Sequence, residues 1–298
     1  MTDKNPRYGH VAVFGLPNAG KSTLVNTLVG EKVSIVTPKV QTTRNRITAI
    51  LTEGRAQIVL IDTPGIFEGR NQFDAQMSEA AWQSVEDCDY ALLIVDAAGQ
   101  DPLERHEKLL KRLPRNKSTR IALVLNKIDK LEKERVLSLI SAFTALYPFA
   151  DVFPLSARKA GDVHDLKKTI AMQIPEGPWA YDEDQISTLP QRFLAAEITR
   201  EKIFLQTFAE IPYAIAVETE LWEERDDNSL FLQQVIYVDK EKLKSILLGA
   251  RGQKIKTIGQ SSRIEMAKIY GRPVHLKLFV KVNPKWRDDP QFFPNRYA

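Results

Sequence analysis

The segment Gly15-Leu16-Pro17-Asn18-Ala19-Gly20-Lys21-Ser22 has the spacing G-x-x-x-x-G-K-[ST]. Glycines at those two positions let the backbone wrap closely, so that successive amide N–H groups face phosphate oxygens. The lysine brings charge to the β- and γ-phosphates, and the serine hydroxyl is a ligand type for Mg2+. An apolar run, 10–14, leads into the motif and a helix-period segment, 21–29, follows it. The loop would then open a helix, whose N-terminus favours anions. On this reading Gly15, Asn18, Ala19, Gly20, Lys21, Ser22 and Thr23 surround a polyphosphate. Taken alone, the motif also reads as a Gly-rich turn.

Three further signals each follow an apolar run. Asp62-Thr63-Pro64-Gly65 closes the run 57–61. An aspartate there can serve Mg2+, usually through water, and the Gly65 N–H can reach a γ-phosphate. Asn126-Lys127-Ile128-Asp129 closes 121–125. The Asp129 carboxylate can accept two hydrogen bonds from guanine N1–H and the 2-amino group, a donor pair that adenine lacks. Ser156-Ala157-Arg158 follows 151–155, where the Ala157 N–H could meet guanine O6. Singly, each is an ordinary turn or cap. Together they stand in order at the C-terminal ends of successive strands, the edge where open α/β sheets bind ligands. No G-x-G-x-x-G follows a strand, which disfavours a dinucleotide fold.

The elements that would position these residues alternate strand and helix. Strands are expected over 10–14, 46–52, 56–61, 90–95, 120–125 and 151–155, and helices over 21–29, 73–86, 103–113, 133–146 and 163–173, the last capped by Asp162. That alternation predicts an α/β domain with a mostly parallel sheet. Only Glu53-Gly54-Arg55 joins the second and third strands, so they form an antiparallel hairpin. Residues 1–174 make this first domain. Prolines, a glycine and an acidic cluster mark 175–189 as a linker, and 190–298 form a second domain. Its expected order is helix, strand, strand, helix, helix, strand, a small α+β unit.

Charge separates the halves. The net +4 resides in the last third. Residues 218–227 carry six acids against one Arg, while 240–287 carry 13 Lys and Arg against Glu241 and Glu265. The bland reading is a solvated face, and the alternative is a polyanion-binding surface. Within the basic stretch, Gly249-Ala250-Arg251-Gly252 links two helices, with Lys254 and Lys256 just beyond. Such a G-x-x-G loop can clamp a single-stranded nucleic-acid backbone, since the glycines admit a phosphodiester and the cations pair with it. The single cysteine, Cys88, cannot close an intrachain disulfide, and no run approaches the ~20 apolar residues of a spanning helix. A cytoplasmic protein is expected.

The whole chain resembles the Era family of translation-factor-like GTPases. The motifs above look like that family's phosphate, metal and two guanine elements, which implies GTP or GDP with Mg2+ as bound species. Metal contacts carried over are Ser22, Asp62 and a switch threonine in Gln41-Thr42-Thr43-Arg44, with Thr43 preferred over Thr42. Base contacts carried over are Asn126, Lys127, Asp129, Ser156, Ala157 and Arg158. The G-x-x-G loop in its element order resembles a type II KH domain, so the resemblance implies an α/β P-loop GTPase domain followed by that α+β domain. It further implies a ligand near the 3′ end of 16S ribosomal RNA, a role in 30S subunit assembly, a monomer, and an inner-membrane-associated pool.

Two departures stand out: Ala160 takes a usual glycine's place in the last guanine element, and Leu16 stands where a basic residue is common. Ile66 follows Gly65 where many regulatory GTPases place a water-orienting Gln, and Glu68 is the nearest carboxylate. Hydrolysis would then rest on Lys21, Thr43, Gly65 and Asn18, at intrinsic rates of about 10⁻⁴–10⁻² s⁻¹. Asn18 sits where K⁺-activated relatives place an ion ligand, and equally reads as a loop cap. Two other functions fit: an RNA-binding protein with a vestigial P-loop, and a GTPase whose basic domain holds an acidic protein or anionic membrane.

Overall fold

The computed structural model describes residues 5–39, 42–67, 72–114, 120–208, 211–289 and 292. The chain divides into two compact units, one holding residues 5–34 and 43–188, the other 35–42 and the remainder from Leu189.

In the first unit a six-stranded sheet runs in the order β2-β3-β1-β4-β5-β6. Its strands are β1 (Arg7–Phe14), β2 (Ile47–Glu53), β3 (Ala56–Asp62), β4 (Tyr90–Asp96), β5 (Arg120–Asn126) and β6 (Val152–Leu155). All pairings are parallel except β2 with β3, the hairpin that the three-residue link dictates. Central strands read as continuous apolar runs because helices cover both faces. Successive residues of β1 accordingly part company. Val11 and Val13 pack with Leu24, Val25 and Leu28 of α1 (Lys21–Val29) and Leu166 and Ile170 of α5 (His164–Gln173). Ala12 and Phe14 face Ala81, Trp82 and Val85 of α2 (Gln72–Glu86), Leu109 of α3 (Pro102–Arg112) and Phe143 of α4 (Lys133–Leu146).

Of the segment read as a linker, 175–189, residues 175–188 lie in the first unit. Buried Gln57 on β3 holds it: Oε1 accepts the N–H groups of Ala180 and Tyr181, both at 3.0 Å, and Nε2 donates to the Tyr181 carbonyl at 2.8 Å. The Ile50 N–H donates to the Ile186 carbonyl at 2.9 Å, so the strap also covers the exposed edge of β2.

The second unit follows the expected order: α6 (Gln191–Gln206), β7 (Ile215–Glu224), β8 (Leu230–Val238), α7 (Glu241–Leu248), α8 (Gln253–Tyr270) and β9 (Val274–Val282). Its sheet is β7-β8-β9, the first pair antiparallel and the second parallel. Ile203 and Phe204 of α6, Leu247 of α7 and Ile258 of α8 pack on Ile215 and Ile236. Residues 35–42 belong to this unit, and the Val36 N–H donates to Glu201 Oε1 on α6 at 2.9 Å.

Candidate functional site

The loop between β1 and α1 carries the first motif. Gly15 has φ 141°, and a Cβ there would lie 2.4 Å from the Ile94 carbonyl oxygen, so only glycine fits. Gly20 caps α1 at φ 100°, and its missing Cβ leaves room for the Asn126 side chain. Lys21 is buried, its Nζ donating to the carbonyls of Gly15 (3.2 Å) and Leu16 (3.1 Å). Burial lowers its pKa to about 8, partly offset by the nearby charge of Asp62. Ala19 is buried, Thr23 lies in the first turn of α1, and Asn18 is exposed at φ 62°.

Ser22 Oγ donates to Asp62 Oδ2 at 2.6 Å and lies 2.8 Å from Thr43 Oγ1. The neighbouring Thr42 hydroxyl instead donates to the Lys39 carbonyl and meets Thr37. Of the two switch threonines, the structure therefore brings Thr43 to the carboxylate. Gln41 and Glu68 lie outside the described residues. Burial raises the Asp62 pKa, and Ser22, Lys21, Ser34 and Thr43 pull it back. Asp62 Oδ1 is buried and has no hydrogen-bond partner. A buried carboxylate oxygen left in this way suits the hydration shell of a hard cation. The donor set of two hydroxyls and one carboxylate therefore fits Mg2+. Gly65 packs so closely on Pro17 that a Cβ would approach to 2.8 Å, and the Ile66 N–H donates to the Gly15 carbonyl at 3.0 Å. Ile66 itself is buried in the apolar cluster below the sheet and cannot orient water.

Asn126 is the hub of the other half of the site. Its Nδ2 donates to the Ala19 carbonyl at 2.7 Å, and its Oδ1 accepts the N–H groups of Lys127 (2.7 Å) and Ala157 (2.9 Å). The Ala157 N–H, read from sequence as facing a guanine O6, is thus engaged by Asn126 in this structure. Lys127 Nζ reaches the Asn18 carbonyl at 2.8 Å and Asp96 Oδ2 at 2.6 Å, tying the guanine motif to the phosphate loop. Asp129 is exposed, and a hydrogen bond from the Ser156 side chain holds its carboxyl below the ordinary range. Asp162 does not cap α5: its Oδ2 accepts the Ser156 N–H at 3.1 Å and shapes the last guanine loop instead. That loop passes through Arg158 into a 3-10 turn, Ala160–Val163, where Gly161 has no left-handed φ.

In the second unit α7 ends at Gly249, φ 70°, where a Cβ would press to 2.7 Å from Lys254 Cβ. Arg251 and Gly252 are also left-handed, at φ 52° and 74°. A Cβ on Gly252 would meet nothing within 4 Å, so the space above it is open to a ligand. Ala250, Arg251 and Lys256 are exposed, Lys254 half-buried. Beyond them lies an open groove of about 500 Å³ between α8 and β9, lined by Ile255, Lys256, Gly259, Gln260, Arg263, Leu276 and Leu278.

Residues 10–127 match the family described as 50S ribosome-binding GTPase, and 210–287 match the KH domain family. GTPase Era of Brucella suis is 50% identical over 285 residues, covering 96% of this chain and 91% of that one. GTPase Era of Dinoroseobacter shibae is 46% identical over 289 residues, 96% of this chain and 94% of its own. Among solved structures, a variant of Aquifex aeolicus Era bound to GDP·AlF4⁻ superposes with a TM-score of 0.89 at 41% identity, over 96% of this chain and 97% of that one. The same figures hold for Era in complex with MgGDPNP and nucleotides 1506–1542 of 16S ribosomal RNA.

The chain belongs to the GTPase Era family.

An Era-type GTPase domain with a KH domain behind it is therefore the frame into which these residues fall. Sequence reading missed three groups. Ser34 Oγ donates to Asp62 Oδ2 at 2.8 Å, from a loop with no motif of its own. Asp96, at the end of β4, holds Lys127. The groove residues Gln260 and Arg263 were legible in principle, because Lys256, Gln260 and Arg263 follow helical spacing on one face of α8 within the basic stretch.

Proposed function

We propose that the chain hydrolyses GTP to GDP and phosphate at the loop edge of its first unit and binds single-stranded RNA with its second. The observation that carries the first part is the convergence of Ser22, Thr43 and Asp62 at 2.6–2.8 Å beneath the phosphate loop, with Asp62 Oδ1 unpartnered. Ser22 and Thr43 would hold Mg2+ directly and Asp62 through water. A Mg2+ held there by Ser22, Thr43 and Asp62 would supply positive charge against the charge that develops on the phosphates. Lys21, already fixed in the loop, pairs with the same phosphates. The N–H of Gly65, whose Cα packs on Pro17, would orient the γ-phosphoryl for in-line attack by water. Asn126 and Lys127 brace the loops around the base, and Asp129 selects guanine.

In the second unit the Gly249–Gly252 loop would grip the RNA backbone, with Arg251, Lys254 and Lys256 pairing with phosphates and the groove taking bases. By kinship with the Era–16S complex, the ligand would be the 3′ region of 16S ribosomal RNA, and the role 30S subunit assembly. A cytoplasmic monomer with a peripheral inner-membrane pool completes the proposal. Among the described residues no helix is long and apolar enough to cross a membrane. K⁺ remains a proposed activator: hydrolysis faster in K⁺ than in Na⁺, with the difference lost in Asn18→Ala, supports it, and equal rates in both salts with RNA present remove it. The whole reading is tested by phosphate release from GTP with and without Mg2+. Turnover that needs the metal and is lost in Lys21→Ala supports it, and metal-independent or absent turnover contradicts it.

A further inference from the structure

Ser34 is buried at 3% exposure and its hydroxyl donates to Asp62 Oδ2 at 2.8 Å. The same oxygen accepts from Ser22 at 2.6 Å. Two donors on one carboxylate oxygen fix the plane of the group and leave Oδ1 as the one free corner. What holds Ser34 is equally specific. Gly30 ends α1 in the left-handed region, φ 87°, and turns the chain back. Asn26, one turn earlier, then grips the returning backbone three times. Its Oδ1 accepts the N–H groups of Val33 and Ser34, both at 3.0 Å, and its Nδ2 donates to the Ser34 carbonyl at 2.7 Å. The Asn26 amide is thereby committed to placing one serine, and that serine to placing one carboxylate. All of these residues lie in the first unit.

We infer that Ser34, anchored by Asn26, is a positioning residue for Asp62 that sets how tightly the site holds its divalent cation. The inference rests on Asp62 serving Mg2+, as proposed above. A carboxylate hydrogen-bonded to neighbours that are themselves fixed presents its free oxygen without reorganising, and such supporting contacts commonly change metal affinity 10- to 100-fold.

The test is the dissociation rate of a fluorescent GDP analogue from the purified full chain, titrated with Mg2+ from EDTA to saturation. Ser34→Ala removes the hydroxyl and leaves the backbone that Asn26 grips. The Mg2+ concentration for half-maximal slowing should rise roughly tenfold or more, while the rate in EDTA stays within about twofold of the unmodified protein. Asn26→Ala should shift the half-point in the same direction. An unchanged half-point in Ser34→Ala overturns the inference. So does equal acceleration with and without metal, since that is a purely structural contact. Asp62→Asn separates the underlying reading: if the unmodified protein shows no Mg2+ dependence, or Asp62→Asn leaves it intact, the metal assignment itself fails.

Discussion

At the scale of single residues, the base choice proposed above rests on one exposed carboxylate, Asp129. Asp129→Asn replaces a double acceptor with an acceptor and a donor. GTP affinity should fall at least about tenfold, and xanthosine triphosphate, with oxygen at the 2-position, should bind better than GTP. Competition between the two nucleotides reads this directly, and unaltered GTP preference removes Asp129 from the site. Gly20 tests the other half of the same wall. A Cβ there would stand 2.2 Å from Asn126 Nδ2, at a φ of 100° that L residues rarely adopt. Gly20→Ala should push Asn126 off the Ala19 carbonyl, weaken GTP by more than about tenfold and lower the melting temperature, with backbone strain alone of about 1–3 kcal/mol. A variant that binds GTP normally would show that Asn126 is not the brace. These roles were unevenly legible. Lys21, Ser22, Asp62 and Asp129 stand in recognisable motif spacings, each motif at the end of an apolar strand. Ser34 and Asn26 have no such spacing. Their contacts depend on how far Gly30 turns the chain, which the sequence states only as a glycine.

At the scale of elements, α3 and α4 meet over a buried histidine. His106 Nδ1 lies 2.6 Å from the Pro102 carbonyl, so that nitrogen carries the proton, and Nε2 is buried without a partner. Phe143 packs its ring 5.9 Å away. Burial depresses the His106 pKa, the Pro102 contact opposing it. The unfolded chain therefore binds a proton that the fold refuses. Stability from this site is complete above the unfolded value of about 6.5 and is lost as pH falls below it, by at most about 1.4 kcal/mol per pH unit. Melting temperature should drop between pH 7 and 5.5, and His106→Gln should flatten the drop; an equal slope in both proteins contradicts the assignment. Elements themselves were the most legible level. The run 90–95 reads as a buried strand by its length, and the short link 53–55 reads as a hairpin. The segment 175–189 reads as a linker from its prolines, glycine and acids, and the prolines and acids are exposed; what the pattern does not show is that Gln57, a polar residue inside a buried strand, holds the backbone of Ala180 and Tyr181. Asp162 likewise read as a cap because capping is local, while its partner Ser156 lies across a loop.

At the scale of the molecule, the excess positive charge lies in the second unit, around the Gly249–Gly252 loop, while residues 1–190 sum to zero. Two polyanion sites on one chain should therefore differ in kind. Nucleotide binding should depend on geometry and Mg2+, and RNA binding should weaken steeply with salt as counterions are released. The central claim, that each unit does its own chemistry, is tested most directly by one paired titration. A fluorescent GTP analogue and a labelled single-stranded RNA covering the 3′ end of 16S ribosomal RNA are titrated into the unmodified protein, Lys21→Ala and Gly252→Asp. Gly252→Asp places a negative side chain in the open space above the loop, so it should lose RNA binding by at least about a hundredfold and keep GTP binding. Lys21→Ala should lose GTP and keep RNA. If a folded Gly252→Asp protein binds the RNA as tightly as the unmodified chain, the loop is only a turn between α7 and α8, and the account of the second unit is wrong.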